Sequence, residues 1–362
     1  MSNKIGIILG TRPEIIKLSS VIRFCKLNKV KYFIIHTNQH YSKNMDEIFF
    51  KELNLPKAKY NLEVGSCSRI EMISRMMVGL EKVLLKEKPV VVFVQGDTNT
   101  VLAGALAASS LDIKIGHIEA GLRSYDRTMP EEINRIITDN LADYLFCPTS
   151  KQVFNLKNEG INKGKVFLTG NTIVDAVREC IKIADKQSII MDSLGLSKKD
   201  FILMTSHRPS TVDSRRHLMA VILATKRLAQ KYHKKVVFPI HPRTKKMLDK
   251  FKIAIPNEFI VIEPLGYIDM LKLQKESFLI ITDSGGIQEE SCILKKKCVI
   301  IRHNTERPEA IDVGGCVLAG NDDPKKIFNL ACRLIDKRVA WINPFGQGKI
   351  GEKIIKITLK KF

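Results

Sequence analysis

Short runs rich in Val, Ile and Phe alternate with helix-length amphipathic stretches along all 362 residues, and this rhythm confines the chain to few folds. The strand candidates of the first half are residues 5–9, 32–36, 90–94, 114–118, 144–147 and 165–168. Those of the second half are residues 201–205, 235–239, 259–262, 278–282 and 299–302. Their apolar residues are consecutive rather than alternate, as in strands buried on both faces of a parallel sheet flanked by helices. A chain of this length outgrows a single core, so the reading is α/β with two Rossmann-like, doubly wound domains facing across a cleft. The boundary is expected within residues 170–198, giving domains 1–172 and 173–362. Residues 176–191 read as a helix and 192–200 as a polar linker before the second sheet. The Gly- and Pro-rich stretch 341–348 reads as a loop, followed by a short basic helix or strand that packs back on the first domain.

Polar residues gather where these strands end. Gly10-Thr11-Arg12-Pro13-Glu14 follows the first strand, Gln95-Gly96-Asp97-Thr98 the third, and Glu119-Ala120-Gly121-Leu122-Arg123 the fourth. In the second half, Ser206-His207-Arg208-Pro209, His241-Pro242-Arg243-Thr244 and Asp283-Ser284-Gly285-Gly286 do the same. Doubly wound sheets bind ligands at the carboxyl ends of their strands, so six such loops point to one ligand-binding cleft.

Bulk properties remove several function classes. The formal net charge is +21, yet the basic residues are spread along the chain, and no zinc-finger or RNA-binding motif accompanies them. A basic surface suits an anionic nucleotide as well as a nucleic acid, and the former is the reading adopted. The eight cysteines are scattered without zinc spacing, as expected for incidental thiols in a reducing compartment. No apolar run approaches the roughly 18 residues of a membrane span. The start shows no cleavable leader, so a cytoplasmic protein is expected.

The loops carry readable chemistry. Asp283 to Glu290 leaves a strand, passes Gly285 and Gly286 and enters a helix, which exposes backbone N–H groups and a positive helix end to a diphosphate. Ser284 adds a hydroxyl, and Glu290 suits ribose hydroxyls. A capped helix start accounts for the acids but not for both glycines. The first loop lacks the dinucleotide glycine pattern and the phosphate-loop lysine motif. Arg12 suits a phosphate contact, with Lys17 a turn or so further on; alternatively Pro13 only starts the helix and Arg12 is a surface group. Asp97, Glu119, Glu131 and Glu132 crowd carboxylates together, which is expected to raise the affinity of one of them for a proton. Glu131 and Glu132 also fit a plain helix N-terminus, with Arg135 one turn on and Asp139 on the same face as Arg135. His207 suits a substrate hydroxyl. His241, Arg208 and Arg243 add polarity and positive potential, and His303 to Arg307 form a further polar loop. Nothing in these spacings compels a metal ion.

Taken in order, these segments resemble the non-hydrolysing UDP-N-acetylglucosamine 2-epimerases over nearly the full chain. The matching runs are Gly10 to Glu14 with Lys17, Thr37-Asn38-Gln39-His40-Tyr41, Gly96 to Thr100, and Gly116-His117-Ile118-Glu119-Ala120-Gly121-Leu122-Arg123. They continue with Pro130 to Arg135, Thr169 to Thr172, His207-Arg208, Asp283 to Glu290, Thr305 to Glu309 and Asn343 to Gly346. The resemblance implies a GT-B-type fold, a homodimer, and interconversion of UDP-N-acetylglucosamine and UDP-N-acetylmannosamine without metal or redox cofactor. It implies loss of UDP with the C2 proton, a bound 2-acetamidoglucal, and re-addition. By motif match Asp97, Glu119, Glu132 and His207 fall on catalytic positions. Arg12, Ser284, Gly285, Gly286 and Glu290 fall on UDP-binding ones; Lys17, Arg135, His241, Arg243 and Arg307 complete the candidate set. Two runs depart from the family pattern: Pro209-Ser210-Thr211-Val212-Asp213 replaces a short Glu-Asn run, and Gly65 to Glu71 lacks a Gly-x-His-Gly sequence. These departures keep open a modified substrate, either a diacetamido uronic-acid or a 6-deoxy sugar nucleotide. Hydrolytic release of the sugar, glycosyl transfer and non-catalytic nucleotide-sugar binding are the other readings carried forward.

Overall fold

Ile5, Ile7, Ile8 and Leu9 are all buried, as are Val91 to Val94, so these strands hide both faces. Only helical layers on each side of a parallel sheet can satisfy such strands. The computed structural model describes residues 4–38 and 49–361. The chain forms two compact units, Met1–Ala176 with Phe345–Phe362, and Val177–Pro344. Among the described residues no helix is long and apolar enough to cross a membrane.

In the first unit the strands are β1 (Ile5–Leu9), β2 (Tyr32–His36), β3 (Tyr60–Asn61), β4 (Val91–Gln95), β5 (Lys114–Ile118), β6 (Tyr144–Cys147) and β7 (Val166–Leu168). They lie in the order β3-β2-β1-β4-β5-β6-β7, and every pair is parallel. Helices α1 (Arg12–Leu27), α2 (Arg69–Glu87), α3 (Asn99–Ser109), α4 (Pro130–Leu141), α5 (Ser150–Asn158) and α6 (Ile173–Gln187) connect or follow them. Met76, Leu80 and Leu84 of α2 join Val101, Ala103 and Ala105 of α3 over Ile8, Val92 and Val94 of the sheet. Helix α3 approaches closely because Gly104 has no side chain; a Cβ there would lie 2.9 Å from Val94 Cγ1.

The second unit repeats the plan with β8 (Phe201–Thr205), β9 (Lys235–Pro239), β10 (Phe259–Ile262), β11 (Leu279–Thr282), β12 (Cys298–Ile300) and β13 (Cys316–Leu318). Their order is β10-β9-β8-β11-β12-β13, again all parallel. In each unit the chain starts mid-sheet, winds to one edge, then returns beside its first strand. The reversal falls between β1 and β4 in one unit and between β8 and β11 in the other, the switch points at which such sheets bind ligands.

Strands β3 and β13 are absent from the sequence reading, being only 2 and 3 residues long, too short for a periodicity to register. The helix expected over residues 176–191 instead runs Ile173–Gln187, and a separate turn, α7 (Ile190–Ser193), follows. Ser188 breaks the two apart by accepting the Ile190 N–H at 3.4 Å. The basic tail is helical. In the second unit α8 (Pro209–Val212), α9 (Arg215–Tyr232), α10 (Pro242–Phe251), α11 (Tyr267–Glu276), α12 (Gly285–Ile293), α13 (Glu309–Asp312) and α14 (Pro324–Asp336) precede it; the tail itself is α15 (Ile350–Leu359), part of the first unit. Asp175 accepts the Gly351 N–H at 3.0 Å. The Gly351 backbone lies so near α1 that a Cβ would sit 2.6 Å from the Ser20 carbonyl carbon.

One buried carboxylate joins the loops of the first switch point. Glu14, in the first turn of α1, accepts the N–H of Gly10 at 2.6 Å and of Thr11 at 2.8 Å, and the Thr98 hydroxyl from the loop after β4. The Thr-x-x-Glu spacing makes this half of a capping box. Desolvation is the largest influence on Glu14, and burial pushes its carboxyl up to about 7 despite the Thr98, Gly10 and Thr11 hydrogen bonds.

Two stability outcomes follow from these contacts. Gly→Ala inside a helix normally gains up to about 1 kcal/mol, but Gly351→Ala should lose about 1 to 3 kcal/mol by overpacking α15 on α1. A urea midpoint that rises would contradict that packing. Native Glu14 keeps its proton to about 7, whereas the unfolded chain releases it near 4.5. The stability it contributes is therefore present below 4.5 and is lost as pH rises through about 7, an effect on the order of 3 kcal/mol. Glu14→Gln cannot ionise, so its stability relative to wild type should grow between roughly pH 5 and pH 8. Parallel denaturation series with identical pH dependence would show that Glu14 does not titrate this way.

Candidate active site

Most of the residues expected from sequence gather at the two switch points. In the first unit, α1 projects Lys17 beneath the loop after β5, where its Nζ lies 2.6 and 2.7 Å from the two carboxylate oxygens of Glu119. Both side chains are buried. Gln95 and Asn171 donate their amides to the same carboxylate, the latter at 3.3 Å. Glu119 holds a backbone φ of +73°, an arrangement that costs an L-residue about 1 to 3 kcal/mol and persists only where neighbours enforce it. Here the Phe146 carbonyl accepts the N–H of Glu119 at 3.1 Å and of Ala120 at 3.2 Å.

Arg135, buried on α4, bridges two further acids. Its Nε and Nη2 lie 2.9 and 2.6 Å from Asp97 Oδ2, while Nη1 donates to Glu132. Glu132 also accepts the Ser124 N–H at 2.9 Å, the Ser124 hydroxyl at 3.0 Å and the Tyr125 N–H at 2.9 Å. Burial alone would raise its affinity for a proton, but the Ser124 and Tyr125 donors and Arg135 together hold it below the usual carboxylate range. Glu132 is therefore not the proton-holding member of the group: the Ser124 and Tyr125 donors, and Arg135 between it and Asp97, favour its anion. Asp97 remains the accessible member, with about a quarter of its side chain exposed. Its Oδ1 makes no hydrogen bond among the described residues. Glu131 is exposed. Asp139 turns instead to His117 Nδ1 at 2.7 Å and Arg123 at 2.7 Å, while His117 Nε2 meets the Gly96 carbonyl at 2.8 Å. This network lies directly behind the Gly96-Asp97 turn and the Glu119 loop.

In the second unit, Ser284 caps α12 by accepting the Ile287 N–H at 3.4 Å, and Gly285 and Gly286 form the first turn. A Cβ on Gly285 would lie 2.7 Å from Arg307 Nη1, so the glycine lets that guanidinium reach the helix start. Arg307 pairs with Glu306 and lies 2.9 Å from Glu289; Glu306 also takes Arg302 at 2.9 Å and Arg208 at 3.7 Å. Burial would push Glu306 up, yet Arg307, Arg302 and Arg208 hold it well below the usual carboxylate range. Three guanidiniums beside two carboxylates and a helix N-terminus leave a positive pocket edge suited to an anion. The sequence reading held Arg302 only as a strand end and Glu306 only as part of a polar loop, because their pairing is set by the fold.

Asp283 is fully buried. It accepts the His207 N–H at 2.9 Å, the Arg208 N–H at 2.9 Å and the Ser206 hydroxyl at 3.1 Å, and its Oδ1 is 3.0 Å from His207 Nδ1. Burial opposes its charge, but the His207 ring and these donors keep it below the usual carboxylate range. The His207 ring is 41% exposed and lies 5.6 Å from the His241 ring. His241 caps α10 by accepting the Arg243 N–H at 3.2 Å. Arg243 does not join the cationic group as expected: its guanidinium forms an exposed pair with Asp213, the last residue of the departing Pro209–Asp213 run. Glu290 is buried and accepts Gln274 Nε2 at 2.7 Å. Arg12 opens α1 with its guanidinium 5.6 Å from the Phe49 ring. Gln39, His40 and Tyr41 of the predicted motif lie outside the described residues.

Comparison with known proteins identifies the pattern. The family model described as UDP-N-acetylglucosamine 2-epimerase matches residues 23–359. A UDP-N-acetylglucosamine 2-epimerase of Methanococcus maripaludis is 52% identical, with 98% of each chain covered. The Methanocaldococcus jannaschii UDP-GlcNAc 2-epimerase, solved in complex with UDP-GlcNAc and UDP, is 50% identical with a TM-score of 0.92 over 99% of both chains. A UDP-2,3-diacetamido-2,3-dideoxy-D-glucuronate 2-epimerase of Pseudomonas aeruginosa is 42% identical over 88% of each chain. With loops, folds and full-length identity in agreement, this chain belongs to the non-hydrolysing UDP-N-acetylglucosamine 2-epimerase family.

Proposed function

We propose that the protein catalyses reversible C2 epimerisation of UDP-N-acetylglucosamine to UDP-N-acetylmannosamine, without net hydrolysis. The observation that carries this reading is the group of acids at the first switch point, Asp97 and Glu132 on Arg135 and Glu119 on Lys17. It supplies fixed carboxylates of unequal exposure where a sugar ring would meet the strand ends. The C2 proton of the sugar is not acidic, and elimination gives its electrons a destination. The C2–H pair becomes the C1=C2 bond of 2-acetamidoglucal, the C1–O bond breaks toward UDP, and the proton passes to a carboxylate. Return of a proton to the opposite face and re-addition of UDP complete the inversion. Every atom is balanced by proton transfer and one leaving group, so the sequence of steps calls for no oxidant.

In this reading Asp97 meets the ring through its unbonded Oδ1, with Arg135 fixing its orientation and Glu132 anchoring Arg135 and the Ser124–Tyr125 turn. Glu119, charge-balanced by Lys17, faces the same substrate from the neighbouring loop. The diphosphate takes the Ser284, Gly285 and Gly286 end of α12 with Arg307 and Arg12, Glu290 takes ribose hydroxyls, and His207 with His241 beside it meets the sugar. The reading includes a GT-B-type fold and a cytoplasmic homodimer. A second reading keeps the reaction and changes the ring: the Pseudomonas relative, named for a diacetamido uronic sugar, favours testing that substrate in parallel.

Proton NMR in deuterium oxide decides among these. With UDP-N-acetylglucosamine the C2 proton should exchange and the manno isomer should appear while free UDP stays sub-stoichiometric. Stoichiometric UDP would make the enzyme hydrolytic, absence of C2 exchange would reject the reading, and exchange confined to the uronic sugar would establish the second one. Asp97→Asn, Glu119→Gln and Glu132→Gln should each cut turnover about 10²-fold or more with the fold retained. Near wild-type rates in all three would remove them from the chemistry.

A further inference from the structure

The structure assigns Asp283 the role of positioning residue for His207: it fixes which ring nitrogen carries hydrogen and presents Nε2 outward as an acceptor. The assignment rests on the reading above, in which His207 meets the sugar. Its geometric basis lies wholly within the second unit.

The two oxygens of Asp283 have different duties. Oδ2 takes three donors from the loop after β8: the Ser206 hydroxyl at 3.1 Å, the His207 N–H at 2.9 Å and the Arg208 N–H at 2.9 Å. Oδ1 faces the ring, 3.0 Å from His207 Nδ1, with the His207 N–H also at 3.1 Å. A carboxylate can only accept, so the neutral ring must place its hydrogen on Nδ1. Nε2 is then a lone pair, and it makes no hydrogen bond among the described residues while the ring is 41% exposed. The group of the substrate that meets it must be a donor, a ring hydroxyl or an amide N–H. This deepens the role of the Asp283 loop, which by sequence reads only as a phosphate-facing helix start.

The same asymmetry makes the assignment testable. In Asp283→Asn the amide oxygen can take the Oδ2 position and keep all three loop donors, leaving the NH2 opposite Nδ1. That NH2 donates, so the ring must reverse: Nδ1 accepts and Nε2 carries hydrogen. A carboxylate-to-amide change that imposes the wrong tautomer in a serine-protease triad costs about 10⁴-fold with geometry intact.

The experiment is ¹⁵N NMR of the full chain labelled at histidine, at mildly alkaline pH, with His207→Gln identifying the resonances. Wild type should show hydrogen on Nδ1 and a bare Nε2. Asp283→Asn should show the reverse and lose about 10²-fold or more in kcat, with KM for the UDP-sugar within about threefold. Hydrogen on Nε2 in the wild-type ring overturns the assignment without recourse to any variant, so a variant that fails to fold does not shield it. A reversed tautomer with wild-type kcat overturns it, as does a fall in kcat with the tautomer unchanged, which would be loop damage alone. Failure of the functional reading is separately visible as absence of C2 exchange in wild type, a result that leaves the tautomer measurement to decide the pairing.

Discussion

A carboxylate taken out of water must find donors, and at the switch points of this protein that requirement organises everything nearby. Glu14 gathers two backbone N–H groups and a hydroxyl, joining the loops after β1 and β4. Asp283 gathers a hydroxyl, two N–H groups and an imidazole, joining the loops after β8 and β11. The two units thus use one device, an acid from one switch loop buried against the other, to fix loops whose remaining side chains are then free to bind. Lone carboxylates in such places would cost several kcal/mol, so the loops cannot drift without exposing that cost.

Partnering also sorts the acids by chemistry. Glu132 is saturated by donors and kept anionic, Glu119 is neutralised by Lys17, and only Asp97 combines a fixed orientation with an unbonded oxygen. Glu14, held by two backbone N–H groups and a hydroxyl, is a proton-retaining acid. In the second unit the balance is inverted: Glu306 is surrounded by Arg208, Arg302 and Arg307, and the surplus of positive charge sits beside the α12 N-terminus. One cluster suits proton management and the other anion capture.

Much of this was legible in the sequence. Doubly apolar strands announced parallel sheets, and polar residues at their ends marked the loops that gather at the switch points. The Pro-Glu-Glu-x-x-Arg spacing placed Arg135 one helical turn from Glu132, as found. What could not be read were pairings across the fold. Lys17 and Glu119 are separated by 102 positions, and Asp283 and His207 by 76, distances that only the sheet closes. Arg243 looked like a cation for the nucleotide because nothing in the sequence shows that Asp213 lies opposite it. Glu14 looked like an ordinary first-turn acid, since local sequence carries no sign of the depth to which it is buried. The tail, which read equally as helix or strand, is the helix α15, with Gly351 packed closely on Ser20 of α1.

The central proposal is that the sugar ring meets Asp97. A crystal structure of the protein with its UDP-sugar tests it most directly. The account predicts C2 of the ring within about 3.5 Å of an Asp97 oxygen, with phosphate oxygens on the Gly285 and Gly286 N–H groups. A complex in which the nucleotide sugar binds elsewhere, leaving Asp97 facing solvent, would contradict it.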